Sequence, residues 1–93
     1  DFRNNTPAAD LKTDYFVVHC HPTTPTACAD RANWGNEIRL TDASFDMRQA
    51  PDARGFFTGD YEGLASAGND FTPFFSQPHG SDPSSVFFRR VGP

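Results

Sequence analysis

The alternation of apolar and polar positions predicts short β-strands along most of the chain. In residues 36–41 (NEIRLT), Ile38 and Leu40 alternate with polar neighbours, which is the period of a half-buried strand. Runs rich in β-branched, aromatic or small residues predict further strands at 14–20, 61–67, 71–76 and 86–91. No stretch has a helical period, so the pattern predicts an all-β fold.

The segments between these runs predict turns and loops. Gly68 and Asn69 form a turn pair, and loops are expected at 21–33, 42–60 and 77–84. The 42–60 loop is long for a compact domain, which favours a functional role. Pro73 lacks a backbone N–H and therefore argues against a central position for the strand at 71–76.

The composition supports strands and suggests a covered surface. Ten Asp outnumber two Glu and seven Arg outnumber one Lys, so two strong helix formers are scarce. Ten Phe in 93 residues are more than such a small domain readily buries, and we expect another part of the protein, or a second copy, to cover some of them.

Charge argues against nucleic acid as a partner, and hydropathy argues against a membrane span. The net charge of −4 does not suit nucleic acid, whose phosphates need clustered Lys and Arg. No apolar run approaches the ~20 residues that span a bilayer. Because the chain begins at Asp1 rather than Met, we expect an upstream portion to have been removed.

Cys20 and Cys28 are the two cysteines of the chain. They are either reduced thiols or partners in a disulfide. The abundance of Asn, Thr and Phe favours the disulfide, in a secreted or extracellular protein.

Three segments in order carry a resemblance to a known family: 1–4 (DFRN), 34–41 (WGNEIRLT) and 59–65 (GDYEGLA), followed by the aromatic strand at 71–75. This order resembles the bacterial neuraminidase-repeat proteins, which are sialidase-like β-propellers. Of the family's Asp-box only Trp34 is retained, since its other places hold Ala27, Ala29, Arg31 and Asn33. The resemblance implies the C-terminal portion of a partial β-propeller, about one and a half blades of antiparallel four-stranded sheets.

The resemblance also implies a division of the chain. Residues 1–41 would end the penultimate blade, 42–60 would link the blades, and 61–93 would supply the first three strands of the last blade. The implied partner is the remainder of the propeller, or copies of this chain.

Sialidases use a Tyr nucleophile, a Glu base and an acidic proton donor. The resemblance therefore implies catalytic roles for Asp60, Tyr61 and Glu62, although the chain by itself is not expected to be active. Neighbours on a strand point to opposite faces, which is poor geometry for Glu62 to activate Tyr61. The alternative is structural: Asp60 caps a turn and Tyr61 packs over the channel mouth.

The resemblance further places five residues near a ligand-binding face: Asp1, Arg3, Arg48, Arg54 and His79. Arginine suits a sugar carboxylate because its planar fork binds both oxygens. The alternative is ion pairing with the many Asp residues. The predicted function is a contribution to a carbohydrate-binding or glycoside-hydrolysing face, and the alternative is a non-catalytic propeller scaffold or binding module.

Metal chemistry receives little support from the sequence. His19 and His21 share a strand face, as a two-histidine site requires, but no third ligand follows at zinc spacing. A structural histidine pair is therefore favoured and no metal site is predicted. Calcium is compatible with ten Asp and many loop carbonyls, although no EF-hand spacing occurs.

Overall fold

Antiparallel strands in three small sheets make up the fold. The structure, a computed structural model, describes residues 1–4, 11–59 and 62–92. Strand β1 (Lys12–Thr13) pairs with β4 (Phe45–Asp46), and β2 (Phe16–Cys20) pairs with β3 (Trp34–Arg39). The third sheet has the order β5 (Gly63–Ala67), β6 (Asp70–His79), β7 (Asp82–Phe88). The predicted all-β class is confirmed.

Within the described residues, the remaining helical structure is three single turns of 3₁₀-helix, at Ala27–Ala29, Arg31–Asn33 and Met47–Gln49. No helix in the described ranges is long and apolar enough to cross a membrane. The 42–59 segment also carries β4 and buries Phe45 and Ala50, so it is more ordered than the irregular loop that its sequence predicted.

The predicted loop at 77–84 is wrong. Strand β6 continues to His79 and β7 begins at Asp82, so Gly80 and Ser81 are the whole connection. Gly80 has a φ of 60° while Ser81 keeps a negative φ, the pattern of a type II′ turn. This turn fits the right-handed twist of paired strands, so the polar residues around it remain in the ladder.

The inference from Pro73 is also wrong, because β6 is the central strand of its sheet. The Pro73 carbonyl accepts a hydrogen bond from the N–H of Arg89 at 3.3 Å, so the carbonyl and the nitrogen of Pro73 both face the β7 side of the strand. Strand β7 ends at Phe88, one residue before Arg89, so the missing N–H of Pro73 falls at the end of that strand. Pro78 lies at a register shift between Gln77 and His79. Both prolines therefore avoid the central ladder bonds.

A second register shift shapes the β2–β3 hairpin. Val17 pairs with Ile38 but His19 pairs with Gly35, so β3 carries one extra residue. Asn36 takes a φ of 51° at this bulge, a left-handed conformation that Asn tolerates better than most residues.

The core lies between the β2–β3 hairpin and one face of the three-stranded sheet. Leu40, Phe75 and Val91 are buried there. The partly buried residues packed around them are Tyr15, Val17, Ile38, Phe71 and Phe87. The opposite face of the sheet exposes Phe74, Val86 and Phe88.

Candidate functional site

A cleft of about 500 Å³ lies between the segment at 40–43 and the β6–β7 hairpin. We call it the hairpin cleft. Its volume falls within the ~300–1,000 Å³ typical of small-molecule sites. Phe75 and Phe87 provide apolar walls, and the polar lining residues are Thr41, Asp42, Gln77, His79 and Arg89.

The strand period brings these side chains together. Phe75, Gln77 and His79 occupy alternate positions of β6 and therefore share one face. Phe87 is the register partner of Phe75 on β7, and their rings stack at 6.0 Å. The His79 ring meets Phe87 edge-on at 5.6 Å. The cleft thus combines an aromatic surface with several polar groups.

Arg89 is anchored along one edge of its guanidinium group. Its Nη1 donates to the Leu40 carbonyl at 3.1 Å and to the Asp42 carboxylate at 3.2 Å. Within the described residues, Nε and Nη2 of Arg89 make no hydrogen bond. These two nitrogens form the edge with which arginine binds a carboxylate through two parallel hydrogen bonds.

Gln77 contributes a polar atom without a partner. Its Oε1 is buried and makes no hydrogen bond to the part of the chain that the structure describes. An unsatisfied buried acceptor costs about 1–3 kcal/mol.

Of the five residues predicted to bind ligand, His79 lines the hairpin cleft. Asp42, Gln77 and Arg89 were missed by the sequence reasoning. Had 77–84 been assigned to strands, the alternation from Phe75 to His79 would have placed Gln77 on the same face as His79. Arg89 and Asp42 come together only through the tertiary fold, 47 residues apart in the chain.

The predicted arginine cluster is engaged in local contacts. Arg3 pairs with Asp1 and Glu37, each at 2.5 Å, and its guanidinium lies 3.9 Å from the centre of the Phe16 ring. Arg48 pairs with Asp46 at 2.7 Å. These are ion pairs of the kind weighed as the alternative, and the carboxylate-binding role of Arg3 and Arg48 stays a prediction.

Arg54 is exposed and has a φ of 69°. Its backbone lies in a turn in which the N–H of Gly55 donates to the Asp52 carboxylate at 2.9 Å. Its predicted role in ligand binding likewise stays a prediction.

The predicted catalytic trio is only partly visible. Asp60 and Tyr61 lie outside the described residues, and Glu62 is exposed. Burial raises the pKa of Tyr15, and the charge of Glu62 raises it further. The hydrogen bond between Tyr15 and Thr58 lowers the pKa of Tyr15 in part, but the net direction is upward, which disfavours the phenolate. The assignment to Asp60, Tyr61 and Glu62 stays a prediction.

Asp14 is a polar centre of the fold and lies outside the cleft. Its fully buried carboxylate accepts hydrogen bonds from Asn4 at 2.6 Å, Arg39 at 2.5 Å, Thr41 at 2.6 Å and Ser44 at 2.8 Å. Burial by itself would raise the pKa of Asp14, but the four hydrogen bonds together lower it to about 2. The residue is therefore a structural anion.

The predicted disulfide between Cys20 and Cys28 is confirmed. The loop that it closes is further held by Trp34, whose Nε1 donates to the Cys28 carbonyl at 2.8 Å, and by Asn33, whose Nδ2 donates to the Ala27 carbonyl at 2.7 Å. The disulfide and these two hydrogen bonds together fix the loop that precedes Trp34.

Metal ligands are sparse in the described ranges, where no three His, Cys, Asp or Glu side chains converge. His19 and His21 approach each other, with 2.9 Å between their Nε2 atoms. Calcium binding stays an untested prediction.

No protein-family model, curated protein or solved structure matches this chain. The function proposed for it therefore follows from the residues of the hairpin cleft. The sialidase-like resemblance depends on the sequence segments named above.

Proposed function

We propose that this chain is the carbohydrate-binding part of an extracellular, sialidase-like protein, and that the hairpin cleft binds an acidic sugar. The observation that carries the proposal is Arg89, which lines the cleft together with Phe75 and Phe87 and whose Nε and Nη2 have no hydrogen-bond partner in the described residues.

Arg89 is suited to bind the carboxylate because its other edge is already fixed. The Leu40 carbonyl and Asp42 hold Nη1, so little side-chain entropy is lost when a ligand arrives. A hydrogen bond to a charged group contributes about 1.5–3 kcal/mol. Asp42 offsets part of the positive charge of Arg89, which disfavours the binding of simple anions. A ligand that binds well must therefore also contact other residues of the cleft.

The rest of the cleft matches the other parts of a sugar. The apolar face of a pyranose ring would pack on Phe87, while its hydroxyl groups would meet the imidazole of His79. Rotation of the Gln77 amide would turn its unsatisfied oxygen toward a ligand hydroxyl. A neutral sugar makes these contacts but has no carboxylate to accept two parallel hydrogen bonds from Nε and Nη2 of Arg89.

Calorimetric titration with an acidic sugar, such as a sialic or uronic acid, and with a neutral hexose tests the proposal. We expect saturable binding of the acid and at least about tenfold weaker binding of the neutral sugar, the ratio that 1.4 kcal/mol gives. Arg89→Lys keeps the charge but loses the fork, and should reduce the affinity for the acid. Arg90→Ala is the matched control, because Arg90 pairs with Asp70 instead.

Equal binding of acidic and neutral sugars, or undiminished binding by Arg89→Ala, would contradict the proposal. Hydrolysis of an aryl glycoside then distinguishes the two versions of the proposal, a glycoside hydrolase and a non-catalytic binding module. Turnover that is lost in Tyr61→Phe favours the glycoside hydrolase, and binding without turnover favours a non-catalytic module.

A second candidate function is a propeller scaffold, favoured by the outer face of the three-stranded sheet. Phe74 and Phe88 lie 5.8 Å apart there and both are exposed, as is Val86. A further sheet packed on this face would bury them, as successive blades of a propeller do.

A further inference from the structure

We infer that His19 and His21 form a two-nitrogen site for a divalent transition-metal ion of tetragonal geometry, with Cu(II) as the preferred ion. The site lies beside the disulfide and uses none of the residues of the hairpin cleft. It is independent of carbohydrate binding.

The spacing of the two nitrogens fits such an ion. Two ligand nitrogens at about 2.0–2.1 Å from a metal are about 2.9 Å apart when they are 90° from each other, and about 3.4 Å apart in a tetrahedron. The Nε2 atoms of His19 and His21 are 2.9 Å apart, and the two rings are nearly perpendicular. This separation corresponds to neighbouring corners of a square, the arrangement that Cu(II) and Ni(II) prefer.

The backbone holds the two rings in place. His19 lies in β2 and is buried, while His21 follows the strand and is exposed. Cys20, which lies between them, is fixed by its disulfide to Cys28. A cavity of about 450 Å³, lined by both histidines and by Asn69, gives an ion access from solvent. Ligands that are ordered before binding lose little entropy on metal uptake.

Asn36 offers an oxygen ligand. Its Nδ2 lies 3.5 Å from Nε2 of His19, so rotating the amide by half a turn brings Oδ1 to that position. The bulge in β3 fixes the backbone of Asn36 there. Water would fill the remaining positions. Such an oxygen and two imidazoles favour Cu(II), which heads the divalent affinity series.

A tetragonal Cu(II) site does not need a third protein ligand at zinc spacing. The two imidazoles occupy neighbouring corners of the square, and Asn36 or water can occupy the others. Without metal, one Nε2 donates a hydrogen bond to the other. Metal binding replaces that hydrogen bond, and the donor's proton moves to Nδ1 so that both Nε2 lone pairs face the ion.

Titration of the intact chain with Cu(II) alone, followed by electron paramagnetic resonance, tests the inference. We expect one Cu(II) per chain and pulsed spectra with two coordinated imidazoles. His21→Gln should lose at least about tenfold in affinity and retain one imidazole. His79→Gln is the matched control, because His79 is the third histidine of the chain and should leave binding unchanged.

Circular dichroism of each variant establishes that it folds, and His21 is suited to substitution because it is exposed. The imidazole count of the unaltered chain gives an answer without any variant. No saturable Cu(II) binding, a spectrum without two imidazoles, or equal losses in His21→Gln and His79→Gln would each overturn the inference.

Discussion

At the residue scale, Asp14 shows how a buried charge is stabilised in this fold. Its carboxylate is enclosed, yet four side chains donate to it, one from Asn4 and three from the stretch at 39–44. Its backbone adds two bonds, because the N–H of Asp14 donates to the Asp1 carbonyl and its own carbonyl accepts from the nitrogen of Asp1. Removal of this carboxylate would leave the buried hydroxyl of Thr41 and the partly buried donors of Arg39 and Ser44 without this acceptor, which is costly.

We therefore expect the free energy of unfolding to fall in acid. The folded pKa of Asp14, about 2, lies below its ordinary value of 3.8. Its contribution is thus fully present above about pH 4 and is lost as the pH falls toward 2, by about 2 kcal/mol in total. Urea titrations between pH 2 and pH 5 measure this loss.

Asp14→Asn should destabilise the fold by about 3 kcal/mol at neutral pH and flatten that acid dependence. Asp42→Asn is the control, because the side chain of Asp42 is 98% exposed and its pair with Arg89 lies at the surface. If Asp14→Asn unfolds with the same acid dependence as the unaltered chain, Asp14 is not the group responsible.

At the element scale, single backbone positions decide where strands turn and shift. Two tight connections, Gly68–Asn69 and Gly80–Ser81, join β5, β6 and β7, and each begins with a glycine at positive φ. The bulges at Asn36 and opposite Pro78 shift the register without ending the ladder. The hairpin cleft depends on the second of these turns, since it aligns Phe87 with Phe75.

Gly80→Ala should destabilise the β6–β7 hairpin by about 1 kcal/mol. A Cβ at Gly80 meets no atom within 4 Å, so the cost arises from its φ of 60° alone. Gly35→Ala is the matched control, because its Cβ also meets open space and its φ is not positive. Thermal unfolding compares the two, and an equal effect of both substitutions would contradict the strain at Gly80.

At the scale of the whole molecule, the chain exposes more surface than its mass predicts. Its accessible area is 6518 Å², against about 5,400 Å² for a folded monomer of 10.3 kDa. Its radius of gyration is 15.3 Å, against about 12 Å for a compact domain of 93 residues. The exposed large apolar side chains include Phe74, Val86 and Phe88 on one sheet face.

We expect this face to be covered by a further sheet, which copies of the chain can provide. Native mass spectrometry should then give a mass above 10.3 kDa, and Phe74→Ser with Phe88→Ser should return it to a single chain. Phe56→Ser is the control, because Phe56 is exposed but lies outside the sheet. A native mass of one chain for the unaltered protein would count against the scaffold proposal.

The sequence by itself indicated the all-β class, the approximate positions of five strands and the disulfide, but it missed β1 and β4 and placed the last strand at 86–91 where the structure has Asp82–Phe88. The period of two at Ile38 and Leu40, the turn pair at Gly68 and Asn69, and the two cysteines are local signals, readable without knowledge of distant residues. Local patterns failed at 77–84, where polar residues suggested a loop, because the φ of Gly80 and the pairing with β7 outweighed composition.

Only the tertiary structure decided which polar groups meet. Arg89 contacts Asp42 and the Leu40 carbonyl, and Asp14 accepts from four side chains, through contacts that mostly span 10 to 50 positions. Hydrophobic periodicity specifies which face of a strand is buried. The strand register and the packing of one sheet on another specify which polar side chains become neighbours. The hairpin cleft is a product of that packing, whereas the pair of His19 and His21 is a local contact that the strand alternation already indicated.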